Sequence, residues 1–396
     1  MQRMKLLEQY RHFADGAGER LSASDEEGAA ADYIAATLSA DGLDPQQQTF
    51  MSAASAYAPA ALFAGVALRS VFLFWQPQPV GAAAATLLTA TALVSLLLEM
   101  QYRSNPLRWM LPIEESRNVF VRIPPAATGD VNGSARKTIV ISTHLDAQRH
   151  PAVFNVIGGR SAIPALLRAG QIAAAILLVL FVAGIVTPVI ILRQIALLPG
   201  AVMLAIFILM LLAQRAPVVK GQGDNAGGLA VLLDTAAGLH SAPLAGHDAL
   251  ILFTGASEAG AYGMQAFLNA HRAELAGASH ILLTAMGAAG TIPAVAGREI
   301  AYTGVAGDPA LVSLAGGLAA AHPDLGATRI ERLAAHGELN VSIRHGLHAL
   351  SLTSAPGSAS DDDEKALQRA RALVRVLLQS IDTVPAGTAE PMTTAA

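Results

Sequence analysis

Four long apolar stretches, set as two close pairs inside an otherwise polar chain, limit what this sequence can fold into more than any other feature. They run at about Ala58 to Trp75, Val80 to Leu98, Ala169 to Leu192 and Gln194 to Leu212. Each is near the ~20 residues that a membrane-spanning helix requires. The first pair turns through Gln76-Pro77-Gln78-Pro79, and the second is expected to break around Arg193 or at Pro199-Gly200. With 53% hydrophobic and only 14% charged residues, the 396-residue chain is too apolar for an ordinary soluble domain. The lipid bilayer is therefore an expected partner. Arg69 interrupts the first stretch, where a charge is costly unless it snorkels or pairs, and Glu99 is the expected counter-charge. The competing expectation is that one pair is a buried core hairpin of a soluble protein.

Basic residues gather where the apolar pairs join the polar sequence: Arg103, Arg108, Arg117, Arg149, Arg160, Arg168, Arg215 and Lys220. The connecting turns carry almost none, Arg193 excepted. By the positive-inside rule the polar part should face the cytoplasm of a bacterial-type inner membrane, with both short turns outside. Two spans per pair return the chain to the side it left, so one domain can be assembled from separated pieces. The net charge of −4 and the absence of a basic stripe exclude nucleic-acid binding. The absence of cysteine excludes a disulfide framework and thiolate metal sites. The first fifty residues are charged throughout and show no basic start followed by an apolar run, so no cleavable signal peptide is expected.

The polar pieces, residues 1–57, 114–160 and 214–382, read as one α/β domain, with hairpins at 58–100 and 165–213 and a disordered tail at 383–396. A helix is expected from Glu26 to Leu38, capped by Ser24 or Asp25, with Ala29, Ala30, Tyr33, Ile34 and Leu38 at helical spacing. Strands are expected at Asn118 to Ile123, Thr138 to Ser142, Ala249 to Thr254, Ile281 to Ala285 and His348 to Thr353. Between them, helices are expected from Asp224 to about Leu239 and from Tyr262 to Leu275, and Ser360 should cap a last helix reaching Ser380. Alternation of apolar strand runs with helices predicts a mostly parallel, mixed sheet sandwiched by helices.

In such a sheet functional groups collect at the carboxyl ends of strands. His144, Asp146 and Glu258 each fall just past an expected strand, and Asp224 stands at a helix start. An imidazole and two carboxylates brought together there are a normal zinc donor set, and a carboxylate two residues after the histidine suits orientation of its ring. Glu258 apart, plainer roles exist: His144 and Asp146 as a hydrogen-bonded pair, Asp224 as a helix cap, Gly227 and Gly228 as close-packing residues.

Thr143-His144-Leu145-Asp146, Gly223-Asp224-Asn225-Ala226-Gly227-Gly228 and Phe253-Thr254-Gly255-Ala256-Ser257-Glu258 followed by Gly263 resemble, in order and context, the motifs of metallopeptidase family 28, the two-zinc aminopeptidases and carboxypeptidases. Ala29-Ala30-Ala31-Asp32-Tyr33-Ile34 resembles that family's first helix, and Asn118-Val119-Phe120-Val121 its second strand. The resemblance implies that His144 binds one zinc, Asp224 bridges two, Glu258 binds the second and Asp146 orients a ligand. It also implies losses. The general-base carboxylate falls on Ser257, which cannot accept a proton from water at neutral pH. A ligand aspartate falls on Ala285, and the final histidine falls in Ser354-Ala355-Pro356-Gly357-Ser358, which has none. His336, His345, His348, Asp361 and Asp362 are the nearest substitutes, although Ser360-Asp361-Asp362-Asp363-Glu364 reads equally as a helix start.

Three expectations follow. The first is a catalytically degenerate, membrane-embedded peptidase-like domain that binds a protein or peptide partner, with zinc absent or held at a partial site. The second is an active aminopeptidase or amidohydrolase with a reduced or rearranged zinc site. The third is a transporter component, against which stands the near absence of polar residues in the spans.

Overall fold

A computed structural model of the chain describes residues 6–126, 137–147, 149, 151–152, 154, 162–218, 225–300, 303–334, 337–357 and 362–383. In chain order the strands are β1 (Gln46–Ala53), β2 (Ile113–Ile123), β3 (Thr138–His144), β4 (Asp248–Thr254), β5 (Ser279–Leu283), β6 (Thr291–Ala296), β7 (Arg298–Ile300), β8 (Gly304–Ala306), β9 (Thr328–Ile330), β10 (Leu333–Ala334) and β11 (His348–Pro356). Eight of them form one mixed sheet in the order β1-β2-β4-β3-β5-β11-β6-β9. Its centre is parallel, β3 pairing with β4 and β5, and β5 with β11. The strands β1, β2 and β6 join it antiparallel. β3 is buried along its whole length and β4 from Ala249 onward, which is why both read as unbroken apolar runs rather than alternating ones.

One face is covered by the helices Asp25–Ala40, Ala226–Ser241 and Asp363–Thr383, whose Ile34, Leu229, Leu232, Leu373 and Leu377 are buried against Ile139, Ile141 and Ile251. The other is covered by Tyr262–Ala270 and Glu338–Arg344, with Phe267, Leu268 and Leu339 against Val140, Leu250 and Leu252. Ser24 caps the first of these helices, accepting from Glu27 N at 3.2 Å. The helix from Tyr262 stops at Ala270, short of Leu275, and β5 stops at Leu283 rather than reaching Ala285. Ser360 and residues 384–396 lie outside the described residues. Asp362 makes a capping contact at the start of the helix Asp363–Thr383, accepting from Lys365 N at 2.9 Å.

The apolar stretches form the helices Ala58–Phe74, Val80–Glu99, Ala162–Val186 and Ile190–Gln214. Among the described residues three helices are long and apolar enough to cross a membrane, and Ala58–Phe74 is shorter. All four pack as one bundle, each pair touching the other. Phe63, Phe74 and Phe181 fill the inside, with the Phe74 and Phe181 rings 4.8 Å apart. Phe72, Leu87, Val179 and Leu198 face outward and exposed, an arrangement opposite to that of a water-soluble bundle.

Two expectations are corrected here. The second pair breaks at Thr187-Pro188-Val189, while Arg193 and Pro199 lie inside Ile190–Gln214. Pro188 comes first and pushes Thr187 out of the helical region, whereas an isolated proline inside an apolar helix is tolerated when packing surrounds it. Glu99 does not serve Arg69, which is exposed on its helix. Its carboxylate is held by Arg108 through Nε at 2.7 Å and a terminal nitrogen at 3.1 Å, and by Asn105 Nδ2 at 2.7 Å.

Candidate functional site

Because β3 and β4 are parallel neighbours in register, His144 opposite Thr254, their carboxyl ends open at one place. Leu145 N donates to Thr254 O at 2.8 Å and holds the two exits together. His144, Asp146, Ser257 and Glu258 therefore meet although more than a hundred residues separate the motifs. Asn225 ties in the third strand: its Nδ2 donates to Thr143 Oγ1 at 2.5 Å and to His144 O at 2.9 Å, and its Oδ1 accepts from Ala285 N at 3.0 Å. Behind it the helix Ala226–Ser241 presses on the loop after β5, so closely that a Cβ on Gly227 would lie 1.6 Å from Met286 O.

His144 is buried, its Nδ1 2.9 Å from Asp146 O and 3.3 Å from Asp146 Oδ1. Burial opposes charge on this ring, but the hydrogen bond and charge of Asp146, with Glu258 and Glu338 behind it, outweigh that and push the pKa up to about 10. Asp146 is fully buried, and its Oδ2 accepts from Ser22 Oγ at 2.6 Å and Glu258 N at 2.8 Å. Glu258 is half-buried at the rim.

The hydroxyl of Ser257 is buried without a hydrogen-bond partner at normal geometry. Ala285 has φ of +49° and is exposed, offering a methyl group where a donor would be needed. Where a last histidine is expected, β11 runs on to Pro356, and Ser354 Oγ accepts from Gly287 N at 3.0 Å. His345 bonds Val341 O and Asn269, and His348 bonds Asp308 from the opposite end of β11, so neither reaches the site. Asp224, His336 and Asp361 lie outside the described residues. Among the described residues no group of three or more histidine, cysteine, aspartate or glutamate side chains is arranged to hold a metal ion. Of the implied ligand positions that are described, Ala285 offers only a methyl group, so the described donors His144 and Glu258 do not by themselves fit a two-zinc centre.

Sequence reasoning misses three buried carboxylates nearby. Glu27 crosses from the first helix, accepting from Ala256 N at 2.6 Å, Ser116 Oγ at 2.6 Å and Ala23 N at 2.9 Å. Burial first and the Asp146 charge second push its pKa up to about 8. Glu338 opens the helix Glu338–Arg344 and accepts from Thr254 Oγ1 at 2.6 Å. Its carboxyl is raised by burial, against which His144, Thr254 and Ser257 pull. Glu299 accepts from Gly337 N at 2.6 Å, and burial followed by the charge of Glu338 raises it to about 7. The Ser24-x-x-Glu27 spacing is a capping-box signal, but only half the box forms, since the glutamate reaches Ala23 N and then leaves for the strand ends. Glu299 and Glu338 have no comparable local signal.

Comparison with known proteins bears on the fold. The sequence model of Peptidase family M28 matches residues 210–329, which contain Asp224, Ser257, Glu258 and Ala285. No curated protein matches the sequence. Among solved structures, a leucine aminopeptidase precursor from Bacteroides thetaiotaomicron superposes with a TM-score of 0.52 at 12% identity, over 97% of this chain and 99% of the other. A glutaminyl cyclase from the same organism, bound to N-acetylhistamine, gives the same score, identity and coverage. An order of strands and helices kept at so low an identity makes the α/β part of this chain a family 28 metallopeptidase-like fold.

Proposed function

We propose that this peptidase-like protein is anchored in a membrane by its helical bundle and acts there as a binding or scaffolding domain rather than a two-zinc hydrolase. The observation that carries the reading is the pair Ser257 and Ala285: a buried hydroxyl and an exposed methyl stand where base and ligand carboxylates are required. The surviving acids are engaged elsewhere, Asp146 by Ser22 and the Glu258 amide, Glu27 by the Ala256 amide. A peptide or protein partner is the ligand class the fold suggests. Anchoring is supported by the three long apolar helices, by the apolar outer face of the bundle and by Ala58–Phe74 as a short fourth span packed among them. The arginines on the domain side support a cytoplasmic domain by the positive-inside rule. If metal is held at all, His144, Glu258 and Asp224 are the donors.

Assay of aminopeptidase turnover on amino-terminal aminoacyl amides tests the reading. Wild type should be inactive, and Ser257→Glu with Ala285→Asp should gain activity. Clear turnover by the unaltered chain would sink it.

One observation favours a second reading, a hydrolase with a rearranged site. Glu338 brings a buried carboxylate close enough to Ser257 and His144 to be influenced by both, so a base could be supplied from another element. In that case the unaltered chain is active and Glu338→Gln abolishes turnover while the fold persists.

A further inference from the structure

Where the first helical pair returns to the α/β domain, residues from Gln101 onward run along a cleft of about 510 Å³. Its other walls are Phe50 and Met51 of β1 and the helices Tyr262–Ala270 and Glu338–Arg344. Four arginines line it: Arg103, Arg108, Arg272 and Arg344. Arg108 is committed, holding Glu99 with two nitrogens and lying over the Tyr262 ring at 4.4 Å. The other three are exposed, and among the described residues no carboxylate pairs with any of them. Arg344 donates to the carbonyl of Gln101, which brings it beside the segment carrying Arg103. Partial burial and the Arg103 charge both lower its affinity for its proton, the mark of like charges set together without a counter-ion.

The position of the cleft adds a second constraint. Arg103 follows Glu99, the last residue of the helix Val80–Glu99, by one turn of chain. Trp109 and Met110, both exposed, lie on the same connection. Tryptophan and arginine beside the end of an apolar helix are the pattern of a membrane–water interface, where anionic headgroups are also found. Arginine forks match phosphate oxygens in pairs.

We propose that this cleft holds the phosphate of an anionic phospholipid headgroup from the leaflet facing the α/β domain, gripped by Arg103 and Arg344, with Trp109 and Met110 set in the interface. The inference rests on the membrane-anchored reading above. It ties the peptidase-like domain to the bilayer through a second contact besides the bundle, and Arg344, at the end of the helix that begins with Glu338, links that contact to the candidate site.

The test uses the full chain reconstituted with phosphatidylcholine alone or with added phosphatidylglycerol, beside Arg103→Gln/Arg344→Gln. Flotation with vesicles is read first, and retained lipid is then read by native mass spectrometry. The expected result is flotation in both lipids, selective retention of phosphatidylglycerol, and a roughly ten- to thirtyfold weaker retention in the double variant, as two arginines at a surface imply. Flotation without any preference for phosphatidylglycerol overturns the inference and leaves anchoring intact. Displacement of phosphatidylglycerol by inorganic phosphate also overturns it, marking a site for a soluble phosphate. Failure to float with either lipid overturns the anchored reading and the inference with it. Equal melting of both proteins in phosphatidylcholine would show that the double variant is folded.

Discussion

The ring of Tyr102 lies directly over the backbone of Gly337: a Cβ built on that glycine would stand 1.7 Å from the tyrosine hydroxyl oxygen. Tyr102 leaves the first helical pair, and Gly337 immediately precedes Glu338 at the candidate site. The contact is thus where the bundle and the strand-end site meet. Gly337 also has φ of +96°, a conformation that L side chains rarely adopt. Gly337→Ala should therefore destabilise the protein by roughly 3 kcal/mol or more, because strain and overlap act together. Thermal denaturation in detergent measures this, and adding Tyr102→Leu should recover part of the loss.

Gly227, in the helix that backs the site, and Gly317, in the helix Pro309–Ala321, make a contrasting pair. A methyl at Gly227 would collide with Met286 O, whereas one at Gly317 meets nothing within 4 Å. Gly227→Ala should cost several kcal/mol, of order 3 or above, because backbone must move. Gly317→Ala, inside the helix Pro309–Ala321, should stabilise by about 0.5–1 kcal/mol. Equal melting temperatures for the two variants would contradict the packing described.

Glu99 is nearly buried and its charge is balanced by Arg108. Removing the partner should cost more than the pair itself contributes, since a carboxylate would be left without its counter-charge. Arg108→Ala is expected to lower stability by about 3–5 kcal/mol, and Glu99→Gln/Arg108→Ala by less. A double-mutant cycle on thermal unfolding checks the order.

His280 is fully buried between Ser142 Oγ at 2.8 Å and Ser342 Oγ at 2.9 Å, and burial lowers its pKa to about 3. In the unfolded chain it titrates near 6.5, so as pH falls below that value the unfolded state takes up a proton that the folded state refuses. Its contribution is complete above about pH 6.5 and declines toward pH 3, by up to roughly 1 kcal/mol per unit. His280→Asn should unfold with a shallower acid dependence than wild type, measured as melting temperature against pH.

Glu299 has the opposite sign. Burial raises it to about 7, so the folded state keeps a proton that the unfolded carboxylate, titrating near 4.3, has lost. Stability from this group is present at low pH and falls as pH rises through about 7. Glu299→Gln should therefore flatten the decline between about pH 4.3 and pH 7. An unchanged slope would mean that the group is ionised in the folded state.

The α/β order, and the meeting of His144 with Ser257 and Glu258, were legible in sequence because apolar strand runs end directly in those motifs. What was not legible is the inward path of carboxylates on helices and short strands. Glu27 looks like a capping residue, Glu299 belongs to a three-residue strand, and Glu338 follows a glycine whose left-handed turn is itself set by tertiary contact. The break of the second apolar pair was misplaced for a related reason. Pro188 and Pro199 are alike in composition, and only packing within the bundle decides which one the helix absorbs.

The central claim is that a family 28-like fold persists here without a working two-zinc centre. Metal content per chain of detergent-purified protein, read by inductively coupled plasma mass spectrometry beside a His144→Ala control, tests it most directly. The account predicts no stoichiometric zinc in either sample. Zinc near one or two per chain, lost in the control, would contradict it and establish that the remaining donors still build a metal site.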